Sequence, residues 1–201
     1  MAFLAAGPAR RGAMLGTPIV GSIDYFLQAY GRAAAHEVAA RLPAPYRADI
    51  DPHAPTLGFI GSRWYRYALI GELVRTMVAV VKVDEDDFVR AMAVAGIDAS
   101  INTVMRMLLR FAITPSALAA RGQEAWNLFH DSGRVTILAV TEKSYVAQVT
   151  DWPNHDTVVC RIVTEVRRRL IERTGVGQTV ATREKCVAWG HPACVSRIRW
   201  G

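Results

Sequence analysis

Apolar side chains recur every three or four positions over roughly the first two thirds of the chain, which is the period of an amphipathic helix. This recurrence predicts five helices, which begin after Ser22, near Ser62, at Asp84, after Asp98 or Ser100, and at Pro115. Pro43 and Gly96 are expected to end the first and the third of these helices. The N-terminal part of the chain is therefore predicted to form a helical bundle.

The apolar period shortens to two in the last third of the chain, as expected of strands that bury one face. Alternating segments at 135–139 and 145–149 predict one hairpin, and those at 180–188 and 194–200 predict a second. Between the hairpins the helical period returns and continues to Arg173. The order predicts an α+β fold, in which the helical bundle is followed by a β-hairpin–helix–β-hairpin unit that forms a four-stranded antiparallel sheet.

The 201 residues, half of them apolar and about a fifth charged, are typical of one globular domain. Residues 1–16 are expected to be a disordered extension, and Met14 is an alternative natural start. The remainder, 17–201, is expected to be a single ligand-binding-like domain with a helical part at 17–132 and a sheet part at 133–201.

Composition and charge narrow the range of partners. The net charge is +6, but the arginines are scattered, and the run Arg167–Arg169 has the acidic neighbours Glu165 and Glu172, so we expect no nucleic-acid binding. Charged residues interrupt the longest apolar region, 68–83, so no membrane span is predicted. Three cysteines are too few for a disulfide scaffold, which favours a reducing cytoplasm.

The three cysteines are candidate ligands for a structural zinc ion. Cys186 and Cys194 lie in the segments of the second predicted hairpin, and Cys160 lies on the preceding helix. Zinc prefers four thiolate, imidazole or carboxylate ligands in a tetrahedron, and the fourth candidate is Glu184, with His191 as the alternative. Three small, buried apolar cysteines are the competing interpretation.

Large side chains on the predicted helices could line a small-molecule pocket. The candidates are Trp64, Tyr67, Met77, Met105 and Trp126. The competing interpretation is that these side chains belong to an ordinary hydrophobic core.

Residues typical of an active site are not arranged for catalysis. The run 130–132 reads His-Asp-Ser, but its members are contiguous at a helix end, where they are expected to cap and turn the chain. No catalytic residue is assigned, and the chain is not expected to be an enzyme.

The run from Cys186 to Cys194 reads C-x-A-x-G-H-x-x-C. Through this run, the chain from Gly133 onward resembles the 4-vinyl-reductase domain, which is related to haem nitric-oxide-binding domains and to Bet3 subunits of tethering complexes. In aromatic-sensing members a helix cysteine about 26 residues upstream joins this pair around zinc, and Cys160 occupies that position. The acidic ligand of those members corresponds to Arg183, one place before Glu184.

Four further segments carry a second resemblance, namely 21–41, the Ser-Arg-Trp-Tyr run at 62–65, 126–135 and the aromatic strand that ends at Trp200. Through them, over roughly 17–200, the chain resembles a bacterial family with many paralogues in myxobacteria, often labelled haem-nitric-oxide-binding-like. The resemblance to the 4-vinyl-reductase domain and its relatives implies a cytoplasmic sensor for a small apolar ligand, acting as a homodimer or with a protein partner. A Bet3-like adaptor without ligand is the alternative, and haem or tetrapyrrole binding is the lesser one.

Overall fold

The computed structural model describes residues 12–101, 114–153 and 155–201. Its elements in chain order are β1 Ala13–Leu15, α1 Gly16–Arg41, α2 Ala44–Arg47, β2 Trp64–Arg66, α3 Tyr67–Val81, α4 Glu85–Ile101, α5 Pro115–Ala120, α6 Gly122–Asn127, β3 Arg134–Val140, β4 Ser144–Thr150, α7 Thr157–Ile171, β5 Thr179–Lys185 and β6 Cys194–Trp200. The last four strands form an antiparallel sheet of order β3-β4-β6-β5. The predicted α+β architecture is confirmed.

The chain is already folded at β1, within the range that the sequence assigned to an extension. Strand β1 pairs with β2, and Leu15 donates a backbone hydrogen bond to the Phe129 carbonyl at 2.8 Å. The Asp131 carboxylate accepts the backbone N–H groups of Gly12 and Ala13 at 3.0 and 2.9 Å. These bonds tie the start of the described chain to the segment that follows α6.

Helix α4 does not end at Gly96, so that prediction was wrong. A Cβ at Gly96 would lie 2.5 Å from the Pro18 carbonyl oxygen, and one at Gly21 would lie 2.6 Å from Ala99 Cβ. The absence of side chains at Gly96 and Gly21 therefore allows α1 and α4 to pack closely, and Gly96 does not mark a helix end. The first helix does not begin after Ser22 either, because α1 starts at Gly16, and the Ser22 hydroxyl donates to the Met92 carbonyl at 2.9 Å.

Helix α7 joins the sheet to the helical part and contacts β5, β6, α3 and α4. At its start, the Asp156 side chain caps the helix by accepting the Val158 N–H at 2.8 Å, and it pairs with Arg75 on α3. Near its end, Arg169 pairs with Asp98 on α4 at 2.7 Å. Both ends of α7 are thereby fastened to the helical part. No helix in the described ranges is long and apolar enough to cross a bilayer.

Candidate functional site

The three cysteines meet where α7 packs against the end of the β5–β6 hairpin. The Cys194 sulfur lies 3.5 Å from that of Cys160 and 3.6 Å from that of Cys186. These separations are far longer than a disulfide bond of about 2.05 Å, so the thiols are free. The structure thus brings together the three predicted cysteine ligands.

His155 completes the cluster. Its Nδ1 lies 3.1 Å from the Cys194 sulfur, and the ligand atoms of His155, Cys160 and Cys194 all lie within 4.8 Å of one another. Zinc with thiolates at about 2.3 Å and imidazole at about 2.0 Å requires S···S edges of about 3.8 Å and N···S edges of about 3.5 Å. The spacings from Cys194 to the other three residues are close to those edges. His155, Cys160 and Cys194 therefore fit a zinc ion, and Cys186, beside Cys194, is the candidate fourth ligand.

Local backbone structure sets the positions of the sulfur atoms. Cys160 lies in the first turn of α7, where its N–H donates to the Asp156 carbonyl at 2.8 Å. Cys194 opens β6 opposite Val149 of β4, and Cys186 directly follows β5. A 3-10 turn over Val187–Trp189 closes through Gly190, whose φ of 85° favours glycine. The turn returns the chain so that the two hairpin cysteines face each other.

The three thiols differ in pKa because their surroundings differ. A hydrogen bond with Cys160, and a further one from the Val187 N–H, lower the pKa of Cys194 well below its usual value despite partial burial. The same contact raises the pKa of Cys160, and burial raises that of Cys186. Negative charge in the cluster is therefore favoured first at Cys194.

Neither predicted fourth ligand reaches the cluster through its side chain. Glu184 is exposed and pairs with Arg197, because the register of β5 shifts between Arg183 and Lys185 and turns Glu184 away from the buried side of Cys186. His191 Nδ1 instead contacts the Cys186 carbonyl at 3.2 Å. Sequence reasoning missed His155, for which the available signal was its position five residues before Cys160.

A second feature is an apolar cavity of about 120 Å³ between the helical part and the sheet. A cavity on the order of 150 Å³ holds one benzene ring, so this one suits a ligand of about that size. Helices α1, α3, α4, α6 and α7 and strands β3 and β4 contribute to its wall.

Two of the five predicted pocket residues, Tyr67 and Trp126, line this cavity. Met77 is fully buried in the core and Trp64 lies in β2, and neither belongs to the described lining. Met105 lies outside the described residues.

Aromatic rings form one end of the cavity. The His130 ring stacks on Trp126 with a centroid separation of 3.6 Å, and the Tyr67 hydroxyl contacts His130 Nδ1. Burial, with a smaller contribution from Arg167, lowers the pKa of His130 to about 3, and burial raises that of Tyr67. His130 is therefore neutral, and we assign its Nδ1 as the acceptor of the tyrosine hydroxyl, because a phenol O–H is a stronger donor than a neutral imidazole N–H.

No protein-family model matches the chain, and no curated protein matches its sequence. Solved structures do match. The Fe(II) unliganded H-NOX protein from K. algicida has a TM-score of 0.67 at 12% identity, over 94% of this chain and 97% of its own. The H-NOX protein from S. oneidensis in the Fe(II)NO state has a TM-score of 0.66 at 11% identity, over 92% and 99%. The chain has an H-NOX-like fold. Identity this low establishes the shared fold and not a shared ligand.

The described residues do not fit a haem, the group that the H-NOX-like fold implies. A cavity of about 120 Å³ suits a single aromatic ring rather than a porphyrin. His130 is the one histidine in the described lining, and its ring is stacked on Trp126 with a centroid separation of 3.6 Å, which leaves no room for a porphyrin on that face.

Proposed function

We propose that this chain is a non-enzymatic bacterial sensor or ligand-binding domain for a small apolar molecule, with a structural zinc ion bound by Cys160, Cys186, Cys194 and His155. One observation carries the proposal, namely the apolar cavity between the helical part and the sheet. Pockets of this kind, apolar with a few convergent polar groups, are typical of ligand sites. The reducing cytoplasm is the compartment in which such a thiolate set stays available for zinc.

The zinc ion would have a structural role. Four protein ligands leave no open coordination position, which separates a structural site from a catalytic one. Cys160 belongs to α7 and the hairpin supplies Cys186 and Cys194, so the ion would fix α7 against the sheet. Because α7 also lines the cavity, the same contact would hold one cavity wall in place.

Ligand binding would act through the relative position of the helical part and the sheet. Both parts contribute to the cavity wall, so an occupant favours the arrangement that contacts it best. The expected readout is a changed homodimer or protein-partner contact.

The described lining does not resemble an active site. The Ser22 hydroxyl donates to backbone carbonyls, and His130 accepts from Tyr67, so these two groups do not form a nucleophile–base pair. This arrangement favours binding over catalysis.

The proposal is tested by differential scanning fluorimetry and calorimetry with benzene, toluene and phenol. We expect at least one of these probes to raise the melting temperature of the wild-type protein, by an amount that grows with the logarithm of its concentration above the Kd. Ala125 lines the cavity and Ala120 is exposed on the neighbouring helix, so Ala125→Phe should abolish the effect and Ala120→Phe should not. If no probe of this size stabilises the wild-type protein, the sensor proposal is wrong and the Bet3-like adaptor replaces it.

A further inference from the structure

Arg167 on α7 is the one charged side chain in the described lining of the apolar cavity. Its side chain is half-buried and borders the cavity, and its Nη2 atom is fully covered. That described lining contains no aspartate and no glutamate. A cation is thus placed against an apolar space without an acidic partner in the wall.

The two arginines that follow Arg167 have acidic partners. Arg168 pairs with Glu165 at 2.6 Å, and Arg169 pairs with Asp98 at 2.7 Å. Arg167 forms no ion pair with any described residue. This difference within one helical turn distinguishes Arg167 from the solvated arginines that the sequence suggested.

The hydrogen bonds of Arg167 are incomplete. Its Nη1 donates to the Ser196 hydroxyl at 3.3 Å, and its guanidinium carbon lies 5.6 Å from the centre of the Trp126 ring. Its Nη2 is buried and has no hydrogen-bond partner among the described residues. A buried guanidinium is costly unless an anion pairs with it, and a carboxylate matches its planar donors.

We propose that the ligand of this cavity is a small apolar monoanion of benzoate size, whose carboxylate pairs with Arg167. The inference rests on the proposed function and specifies the ligand class of the same cavity. The apolar body would lie among the aliphatic side chains, and the carboxylate would lie at the end where Arg167 and Trp126 meet. The cavity volume limits the body to about one ring.

The rival anion is the cysteine cluster. Arg167 also borders a small recess that it shares with Cys160 and Cys194, so cluster thiolates could balance its charge. In that case the charge of a ligand in the cavity would not change its affinity. The two explanations therefore differ in ligand preference and in zinc content.

The experiment is calorimetric titration with benzoate and with its neutral isostere benzamide at pH 7.5. We expect wild-type protein to bind benzoate at least about tenfold more tightly than benzamide, since a charged hydrogen bond contributes more than a neutral one. Arg167→Gln should remove the preference while benzamide still binds and zinc is retained. The matched control is Arg168→Gln, which removes the same charge from a side chain outside the described lining and should keep the preference.

Other outcomes overturn the inference in distinguishable ways. Equal binding of benzoate and benzamide by the wild-type protein refutes the anion and leaves the proposed sensor intact. Binding of neither compound refutes the sensor as well. An unchanged preference in Arg167→Gln, or loss of zinc from it, assigns the guanidinium to the cysteine cluster. Arg167→Lys keeps the charge, so it should retain the preference even if the glutamine variant does not fold.

Discussion

The Tyr67 hydroxyl donates a hydrogen bond to Nδ1 of His130, and the two rings lie nearly parallel, with an angle of 13° between their planes. Tyr67 opens α3 and His130 follows α6, so the bond joins two separate helical segments across the cavity end. Trp152 stands edge-on to both rings, with centroids 4.9 Å and 6.3 Å away. The neutral imidazole is therefore held by its neighbours in one tautomer, with its remaining proton on Nε2.

We expect Tyr67→Phe to destabilise the protein by roughly 1–3 kcal/mol, because it leaves a buried imidazole acceptor without a donor. The matched control is Tyr65→Phe. The Tyr65 hydroxyl accepts an exposed backbone N–H from Ile60 at 2.8 Å, so its removal should cost less. Urea denaturation of the two variants measures the difference. Equal losses would show that the Tyr67–His130 bond adds nothing beyond ordinary packing.

The low pKa of His130 predicts a loss of stability in mild acid. The folded-state pKa of about 3 lies below the unfolded value of 6.5, so the unfolded state binds the proton first as pH falls. Stability is therefore complete above pH 6.5 and is lost progressively down to about pH 3, at about 1.4 kcal/mol per pH unit. From pH 7.5 to pH 5, this single group should cost about 2 kcal/mol.

The variant His130→Asn isolates that contribution, because asparagine offers an acceptor to Tyr67 and does not titrate. Its loss of unfolding free energy between pH 7.5 and pH 5 should be smaller than that of wild type by about 2 kcal/mol. Urea denaturation of wild type and variant at the two pH values measures the loss of unfolding free energy for each protein. Identical losses in the two proteins would mean that His130 is protonated in the folded state.

Periodicity predicted the order of elements because each helix and strand buries one face. The residues whose roles were predicted wrongly make contacts with distant parts of the chain, which a local sequence pattern does not show. A glycine such as Gly96 often marks the end of a helix. Here its lack of a side chain instead lets the Pro18 carbonyl oxygen of α1 lie close to α4. Glu184 shares the alternation of Cys186 only if the strand is regular, and a register shift breaks that alternation.

Some residues of the candidate site were also predictable from the sequence, and others were not. Spacing and resemblance pointed to the three cysteines, because Cys160 and Cys194 lie in regular elements and Cys186 directly follows one. His155 lies outside α7 and reaches Cys194 across 39 positions of sequence, so its role depends on tertiary packing. The unpaired guanidinium of Arg167 could not be inferred either, since its neighbours in the sequence suggested a solvated face.

Gly96→Ala should destabilise the protein by about 1–3 kcal/mol, although alanine is usually preferred over glycine inside a helix. The added Cβ would lie 2.5 Å from the Pro18 carbonyl oxygen and 2.5 Å from the Ser22 hydroxyl, so α1 and α4 would have to separate. Thermal unfolding of the variant measures the cost. A gain of roughly 0.5–1 kcal/mol, as for an exposed helical glycine, would mean that the helices are not in close contact.

The fourth zinc ligand can be decided by comparing His155→Ala, Glu184→Gln and His191→Ala. Only His155 places its side chain against a cysteine sulfur, whereas Glu184 pairs with Arg197 and His191 faces backbone. We expect about one zinc per wild-type chain by elemental mass spectrometry. His155→Ala should weaken zinc binding roughly 10–100-fold or more, as loss of a ligand exceeds loss of its supporting contacts.

Competition with a chromophoric chelator measures the zinc affinity of each variant, and Glu184→Gln and His191→Ala should match wild type. Zinc removal should also lower the melting temperature of wild type, because binding energy at a structural site contributes to folding. Cys186→Ser provides the reference for a lost thiolate. Full zinc affinity in His155→Ala, combined with a loss in Glu184→Gln, would restore the carboxylate as the ligand. Absence of zinc from all four proteins and the wild type would make the cysteines core residues.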